Sequence, residues 1–345
     1  MKRLLRLIYA PLKHSRSPLK ALILFGMALV ATIAIASCTA NNQPKLLKVG
    51  LNTWPGFDIA LYGQTSEIFA NRGLDVEFVR FDVAQDTVRA LLRGSLDLAF
   101  VSLWDAMQAD PGEENPAYIM VTNVSYGSDG VVAQPNIDTV ADLKGKTVAA
   151  KLGSVNHLIF LEALAAHQVD PLEVNIADIT NEEAEAEMLA GSLDAAVLWE
   201  PMLGQTATAI DGKVLFTTAD VDSHVVDGLI ARSSYLETNA AEVEAFILSW
   251  FDIMQAVDET PEEVFQAVGE QLGQAPEDFA ADYGGLKKGD IAMHERMFLG
   301  QDRLAAVQAE IVRFLEQDPR HGRVIREDLE INPKPVENAI QAWKQ

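Results

Sequence analysis

Gly94-Ser95-Leu96-Asp97-Leu98-Ala99 and Gly191-Ser192-Leu193-Asp194-Ala195-Ala196 are nearly one phrase written twice. Each follows a helix-like run, Thr87 to Arg93 in the first copy and Glu182 to Ala190 in the second. Each leads into a short apolar stretch that delivers a tryptophan, Trp104 and then Trp199. The pattern reads as helix, glycine stop, turn and buried strand. Glycine takes the left-handed cap conformation without a Cβ penalty. Residues just beyond such a strand lie at its carboxyl end, where open α/β sheets bind ligands. Two copies predict two α/β lobes, each with an aromatic residue at its rim, and a cleft between them suited to clamping a small molecule.

The first segment reads as a targeting signal and is set aside from the fold. Lys2, Arg3, Arg6, Lys13, Arg16 and Lys20 form a basic region without an acid, and Ala21 to Ala36 is an unbroken apolar run. That run is short for a span, which needs about 20 residues. It ends in Ile35-Ala36-Ser37-Cys38, which resembles the bacterial lipobox. Residues 1–38 are therefore expected to be a lipoprotein signal peptide with Cys38 as the lipidated residue, followed by a polar tether over 39–47. An ordinary secretory cleavage after Ala34-Ile35-Ala36, or a retained membrane anchor, stay open as alternatives. Cys38 is the single cysteine of the chain, so the body should hold no disulfide, cysteine metal site or cysteine nucleophile.

The chain of 345 residues carries 27 basic and 50 acidic residues. Without the six basic residues ahead of Cys38 the balance is 21 against 50, a formal charge near −29. A field of that sign repels nucleic acid and anionic headgroups, so no nucleic-acid partner is expected. The body is long enough for one large or two medium domains.

Strands are expected at Leu46 to Leu51, Asp75 to Phe81, Tyr118 to Ser125, Val131 to Ala133, Thr147 to Ala150, Lys213 to Thr217 and Val225 to Ala231. Helices are expected over Asp58 to Arg72, over the short run Asp138 to Lys146, and from Gly153 to about Gln168. Ser128-Asp129-Gly130 reads as a break, and the chain from Ala241 onward reads as helical almost to its end. Strand–helix alternation signals a mostly parallel α/β sheet. Crossings near 125–132 and 222–231 divide the body into lobe 1 over 48–127 and 230–345 and lobe 2 over 128–229.

The order Trp54-Pro55-Gly56-Phe57, Gly73-Leu74-Asp75-Val76, the first doubled phrase, Ser128-Asp129-Gly130-Val131-Val132-Ala133, Ala141-Asp142-Leu143-Lys144-Gly145-Lys146, Gly153-Ser154, the second doubled phrase and Trp199-Glu200-Pro201 resembles the solute-binding proteins of ABC importers in the nitrate/sulfonate/taurine group. Thiamine-pyrimidine-binding proteins and pyrimidine-synthesising enzymes share that superfamily. The resemblance covers Leu46 to Tyr235 well and the helical tail weakly. It implies the two-lobed, type II periplasmic-binding-protein fold, with two mixed sheets, a two-segment hinge and a ligand cleft.

Trp54 and Phe57 follow the first strand, so they face either the cleft or the core. Trp104 and Trp199 stand at strand ends as candidate ligand platforms, although buried tryptophan is commonly core. Ser102 can donate to ligand or to local backbone. Gly153 to His157 opens a helix whose N-terminus can hold an acidic group. There Ser154 is read as the N-cap, with Asn156 and His157 as polar contacts. Glu200 can pair with an ammonium or cap the chain beside Pro201. Asp129 can bind ligand or shape a turn, and Asp222 and Asp227 share that ambiguity. With aromatics, carboxylates and no arginine clamp, this set suits a zwitterion or a nitrogen-containing organic solute.

The expected function is a lipid-anchored, periplasmic or extracytoplasmic binding protein. It would capture a small polar organic or sulfonate-like solute and hand it to the permease and ATPase of an ABC importer. No catalytic residue, metal or cofactor is assigned. A thiamine-precursor (pyrimidine) binding protein, a pyrimidine-synthesis-like enzyme on the same fold, and a sensor ectodomain are the alternatives.

Overall fold

The doubled phrase folds into the same device twice. The helix Ala84–Leu92 ends at Gly94, whose φ of +77° is left-handed. Ser95 N–H donates to the Ala90 carbonyl and Gly94 N–H to that of Leu91, both at 2.9 Å. The helix Asn181–Leu189 ends at Gly191 with φ +70°. Ser192 N–H donates to Glu187 at 3.0 Å and Gly191 N–H to Met188 at 3.1 Å. Both are six-to-one and five-to-two bonded Schellman caps. The aspartates then repeat a second device. Asp97 N–H donates to the Lys48 carbonyl while its carboxylate accepts from Lys48 N–H, each at 2.9 Å. Asp194 does the same to Thr147, at 3.1 and 2.9 Å. Each phrase thus stops a helix and staples the coming strand to the parallel strand before it.

The computed structural model describes residues 45–108, 114–300, 303–322 and 329–344. The signal segment, Cys38 and most of the tether lie outside them. Twelve described strands occur: β1 Lys45–Leu51, β2 Leu74–Arg80, β3 Leu98–Ser102, β4 Pro116–Ser125, β5 Asp129–Ala133, β6 Thr147–Ala149, β7 Asn175–Ala177, β8 Ala195–Trp199, β9 Lys213–Thr217, β10 Val226–Arg232, β11 Leu286–Lys288 and β12 Glu330–Ile331. They make two mixed sheets flanked by helices, ordered β2-β1-β3-β10-β4-β11 and β7-β6-β8-β5-β9, with β12 also on β4. In both, parallel strands run through the repeat strand, β3 or β8, which then pairs antiparallel with a strand that has crossed from the other sheet, β10 or β5.

Several expectations change. Asp58 to Arg72 is a broken series: Pro55–Asp58, a 3₁₀ turn Ile59–Leu61, Tyr62–Thr65 and Ile68–Asn71. Left-handed Glu67, φ 59°, supplies one break. The run after Asp138 is only a 3₁₀ turn, Val140–Leu143, closed by a Thr139/Asp142 capping box. Asp129 and Gly130 begin a strand instead of breaking one. A Cβ on Gly130 would sit 2.4 Å from the Phe216 carbonyl oxygen, so close backbone approach explains the glycine better than a turn does. β10 pairs wholly within the larger sheet, so residues 226–229 go with that sheet and the return crossing precedes Val226. The helical tail also contributes β11 and β12, both on the outer edge of β4.

The tail covers the larger sheet because its long helix, Ala240–Glu259, buries an apolar face of Val243, Phe246, Ile247, Trp250 and Ile253. Phe246 and Trp250 each lie 6.0 Å from Phe100 of β3. Phe57 stacks on Phe100 at 5.5 Å and 11°. Each such ring contributes about 1.5–3 kcal/mol on burial.

Candidate ligand site

The site is built where the chain crosses between sheets. β4 leads through Tyr126–Ser128 into β5, and β10 brings the chain back. The two crossing segments are bonded to each other: the Ser125 and Thr218 hydroxyls lie 2.7 Å apart, and Gly127 N–H donates to Thr218 Oγ1 at 2.8 Å. Both crossing strands carry Asp-Gly followed by two apolar residues and alanine, at the start of β5 (Asp129-Gly130-Val131-Val132-Ala133) and one residue into β10 (Asp227-Gly228-Leu229-Ile230-Ala231). Asp129 stands opposite Trp199, the last residue of β8; Asp227 stands opposite Ser102, the last residue of β3.

Both aspartates are buried, Asp129 to 1% and Asp227 to 5% exposure. Asp227 accepts from Asn123 Nδ2 at 2.7 Å, and the Trp54 indole also acts on it. Neither carboxylate oxygen of Asp129 has a partner in full hydrogen-bond geometry; the Ser125 hydroxyl, bonded to Thr218, lies near enough only to act on its charge. Burial raises the Asp129 pKa to about 7, with the Ser125 hydroxyl opposing and the charges of Glu162 and Glu200 adding to the rise. Burial also pushes Asp227 well above the carboxylate range, helped by the charges of Asp129 and Asp105.

Asn123 ties this pair to the first loop. Its Oδ1 accepts from Trp54 Nε1 at 3.2 Å. Gly56 lies so close that a Cβ there would fall 1.8 Å from Asn123 Oδ1. Trp54 is thus brought to the aspartates, whereas Phe57 is committed to the core against Phe100.

A second chain of bonds starts at Ser102. Its hydroxyl donates to Asp105 at 2.7 Å, and Asp105 accepts from Gln85 at 3.1 Å. Gln85 also donates to the Gly153 carbonyl at 2.9 Å, which links the larger-sheet elements to the loop before the helix Val155–Ala166. Trp104 follows Ser102 at the start of a short helix, is 1% exposed, and its indole N–H has no acceptor. It meets His157 edge to face at 5.9 Å. His157 is fully buried, with Nε2 3.0 Å from Asp318 and Nδ1 unbonded. Burial works against the Asp318 charge, yet the bonds from His157 and Arg320 outweigh it and hold that carboxyl well below its usual range.

The remaining candidates have local partners. Ser154 occupies the N-cap place without a capping bond; its hydroxyl donates instead to the Lys151 carbonyl at 2.8 Å and to Asn156 Oδ1 at 3.1 Å. Asn156 donates to Asn181 and to the Val197 carbonyl. Glu200 accepts from Gly204 N–H at 3.0 Å, inside the first turn of Met202–Ala209. Half-buried Trp199 pairs with Asp129 across the strands. Asp222 pairs at the surface with Arg296 and Arg303.

Gln85, Asn123 and Glu162 were missed in the sequence. Glu162 is buried, bonds His224 through one oxygen at 2.5 Å and leaves the other unbonded. The repeated Asp-Gly-apolar-apolar-Ala phrase was the available signal for pairing Asp129 with Asp227. Nothing local marks Gln85 or Asn123, because only the strand register brings them in. Among the described residues no group of three metal-ligating side chains occurs, and no helix is long and apolar enough to cross a membrane.

Residues 40–269 match the NMT1-like family. A protein of Escherichia coli (strain K12) named as an aliphatic sulfonates-binding protein is 25% identical over 233 residues, which cover 66% of this chain and 71% of that protein. The crystal structure of the periplasmic aliphatic sulphonate binding protein SsuA from Escherichia coli superposes with a TM-score of 0.66 at 20% identity, over 83% of this chain and 99% of that one. The desulfurization enzyme DSZB superposes with a TM-score of 0.62 at 13% identity, over 86% and 99%. At such identities the two structures establish a shared fold, one that hosts both binding and catalysis.

Proposed function

Because the chain belongs to the NMT1-like family, we propose that it is an extracytoplasmic solute-binding protein that serves an ABC importer. In this reading residues 48–127 and 226–345 form one lobe and 128–225 the other. A small polar organic or sulfonate-like solute sits between them, contacted by Trp54, Ser102, Trp104, Asp129 and His157 with Trp199 and Glu200 at the rim. Closing on the solute creates the form that docks on the permease and ATPase. Lipidation of Cys38 keeps the protein at that membrane and raises its local concentration there.

One observation carries the reading. Polar groups with no full internal hydrogen bond, on Asp129, Trp104 and His157, are buried where the two sheets meet. Such groups are costly unless something bonds them, and a solute that enters and leaves is the economical partner. A binding role needs no chemistry from them.

The test is native mass spectrometry of the full-length protein released from membranes, followed by uptake assays in cells with and without the gene. A co-purified small molecule whose uptake falls in the deletion supports the proposal. A protein that binds no small molecule, or turns one over, sinks it. Cys38→Ala should move the protein from the membrane to the soluble fraction.

A further inference from the structure

Within that binding reading, the site's own charges say what kind of solute fits. Asp129 and Asp227 sit near the start of the two crossing strands at matching places, each opposite the final residue of a repeat-derived strand. Both are more than nine-tenths buried, and neither oxygen of Asp129 has a partner in full hydrogen-bond geometry. Among the described residues no lysine or arginine forms an ion pair with either. The lysines and arginine around the two crossings in the chain are engaged elsewhere: Lys146 with Asp194 at 3.5 Å, Lys151 with Asp178 at 3.0 Å, Lys213 with Asp138, and Arg232 with the Leu91 and Leu96 carbonyls. Glu162 adds a third buried carboxylate with one free oxygen. His224, which could neutralise it, is shared with Glu310.

We propose that the solute carries a positively charged nitrogen with N–H groups, which docks between Asp129 and Asp227 and is capped by the indole of Trp54 or Trp104. A carboxylate accepts up to four hydrogen bonds, and buried charge is tolerated only when paired and bonded. An ammonium or a protonated nitrogen ring supplies both the charge and the donors. Aromatic faces nearby add a cation–π contribution. An alkanesulfonate supplies neither, since its oxygens are acceptors and its charge has the wrong sign.

The experiment is isothermal titration of the full-length protein in detergent, with a fixed set of probes: n-butylamine, putrescine, 4-aminopyrimidine, taurine, ethanesulfonate and tetramethylammonium. The inference expects binding of at least one N–H cation, no binding of ethanesulfonate, and weak or no binding of tetramethylammonium. Asp129→Asn and Asp227→Asn should each weaken the bound amine about 10- to 100-fold, the range for loss of a charged hydrogen bond. Circular dichroism and thermal melting show whether these variants fold; Asn replaces a buried carboxyl group of the same shape, so neither should lower the melting temperature much. Ethanesulfonate bound without any amine, or an amine bound equally by wild type and Asp129→Asn, overturns this inference and leaves the solute-binding reading standing. Binding of no probe, together with no adduct in the native mass spectrum, overturns both.

Discussion

Asp129 and Asp227 hold equivalent places in the two sheets: the first lies across from Trp199 at the end of β8, the second across from Ser102 at the end of β3. The glycine after each is fixed by backbone crowding. A Cβ would lie 2.4 Å from the Phe216 carbonyl oxygen at Gly130 and 2.1 Å from that of Met120 at Gly228. Matching strands therefore bring matching carboxylates to the two crossings, where the sheets meet. In the solute-binding reading proposed above, that relationship lets the two aspartates act on one ligand.

The first prediction concerns pH. The folded Asp129 carboxyl titrates at about 7, above its ordinary 3.8. Its contribution is fully present below the ordinary value and is lost as pH rises through about 7. Asp227 acts in the same direction. The solute-free protein should thus melt at a lower temperature at pH 8 than at pH 5.5, and Asp129→Asn should flatten that dependence. Across that pH window the loss from Asp129 is about 2 kcal/mol, at about 1.4 kcal/mol per unit over the roughly 1.5 units below its folded value. A wild-type melting temperature that rises between these pH values would contradict it. Calorimetry at low salt is the measurement.

The doubled phrase allows an internal comparison. Asp97→Ala strips the acceptor from Lys48 N–H, and Asp194→Ala strips it from Thr147 N–H. Each should cost about 1–3 kcal/mol, the penalty for a peptide group left without its partner. The two costs should agree within about 1 kcal/mol if the devices are equivalent. Urea unfolding of both variants checks this, and a cost at only one site would show that the repeat is merely sequential.

Those aspartates also mark how far the sequence could be read. Gly94 and Gly191 announced helix stops, and both stops are there, because a glycine with φ near +70° is a local requirement. One strand was legible to both ends, since β9 spans Lys213–Thr217 as expected, while β2, β4 and β10 each shifted by one or two residues. Ser154 was legible as a cap position, but its hydroxyl found Lys151 and Asn156 instead of the helix amides. That choice depends on side-chain rotamers that no spacing encodes. Phe57 and Trp54 are three residues apart, and only the tertiary partners Phe100 and Asn123 separate core from site. Asn123 and Gln85 were invisible because their partners lie 104 and 20 residues away.

The His157–Asp318 pair gives a prediction of opposite sign. Both side chains are fully buried, and Arg320 bonds the same carboxylate at 2.7 Å. Asp318 is held below its ordinary value, so its stabilisation is present above about pH 4 and is lost as pH falls below that. Asp318→Ala leaves a buried imidazole and an arginine without their acceptor and should cost about 3–5 kcal/mol. A loss below about 1 kcal/mol in chemical denaturation would mean that the pair is not formed in solution.

Trp104 separates packing from recognition. Truncation to alanine would vacate a site that is 1% exposed, at a cost of about 3–5 kcal/mol, so weaker binding in that variant would be ambiguous. Trp104→Phe keeps most of the apolar volume and removes only the indole N–H, which has no acceptor within the protein. Deleting an unbonded buried donor offsets much of the lost packing, and stability should stay within about 1 kcal/mol of wild type. If the N–H is held ready for the solute, affinity should fall by about 0.5–1.5 kcal/mol, roughly two- to tenfold. Calorimetric titration with the co-purified solute, beside a denaturation curve, reads both quantities. Unchanged affinity would return Trp104 to the core and leave recognition to the two aspartates and Trp54.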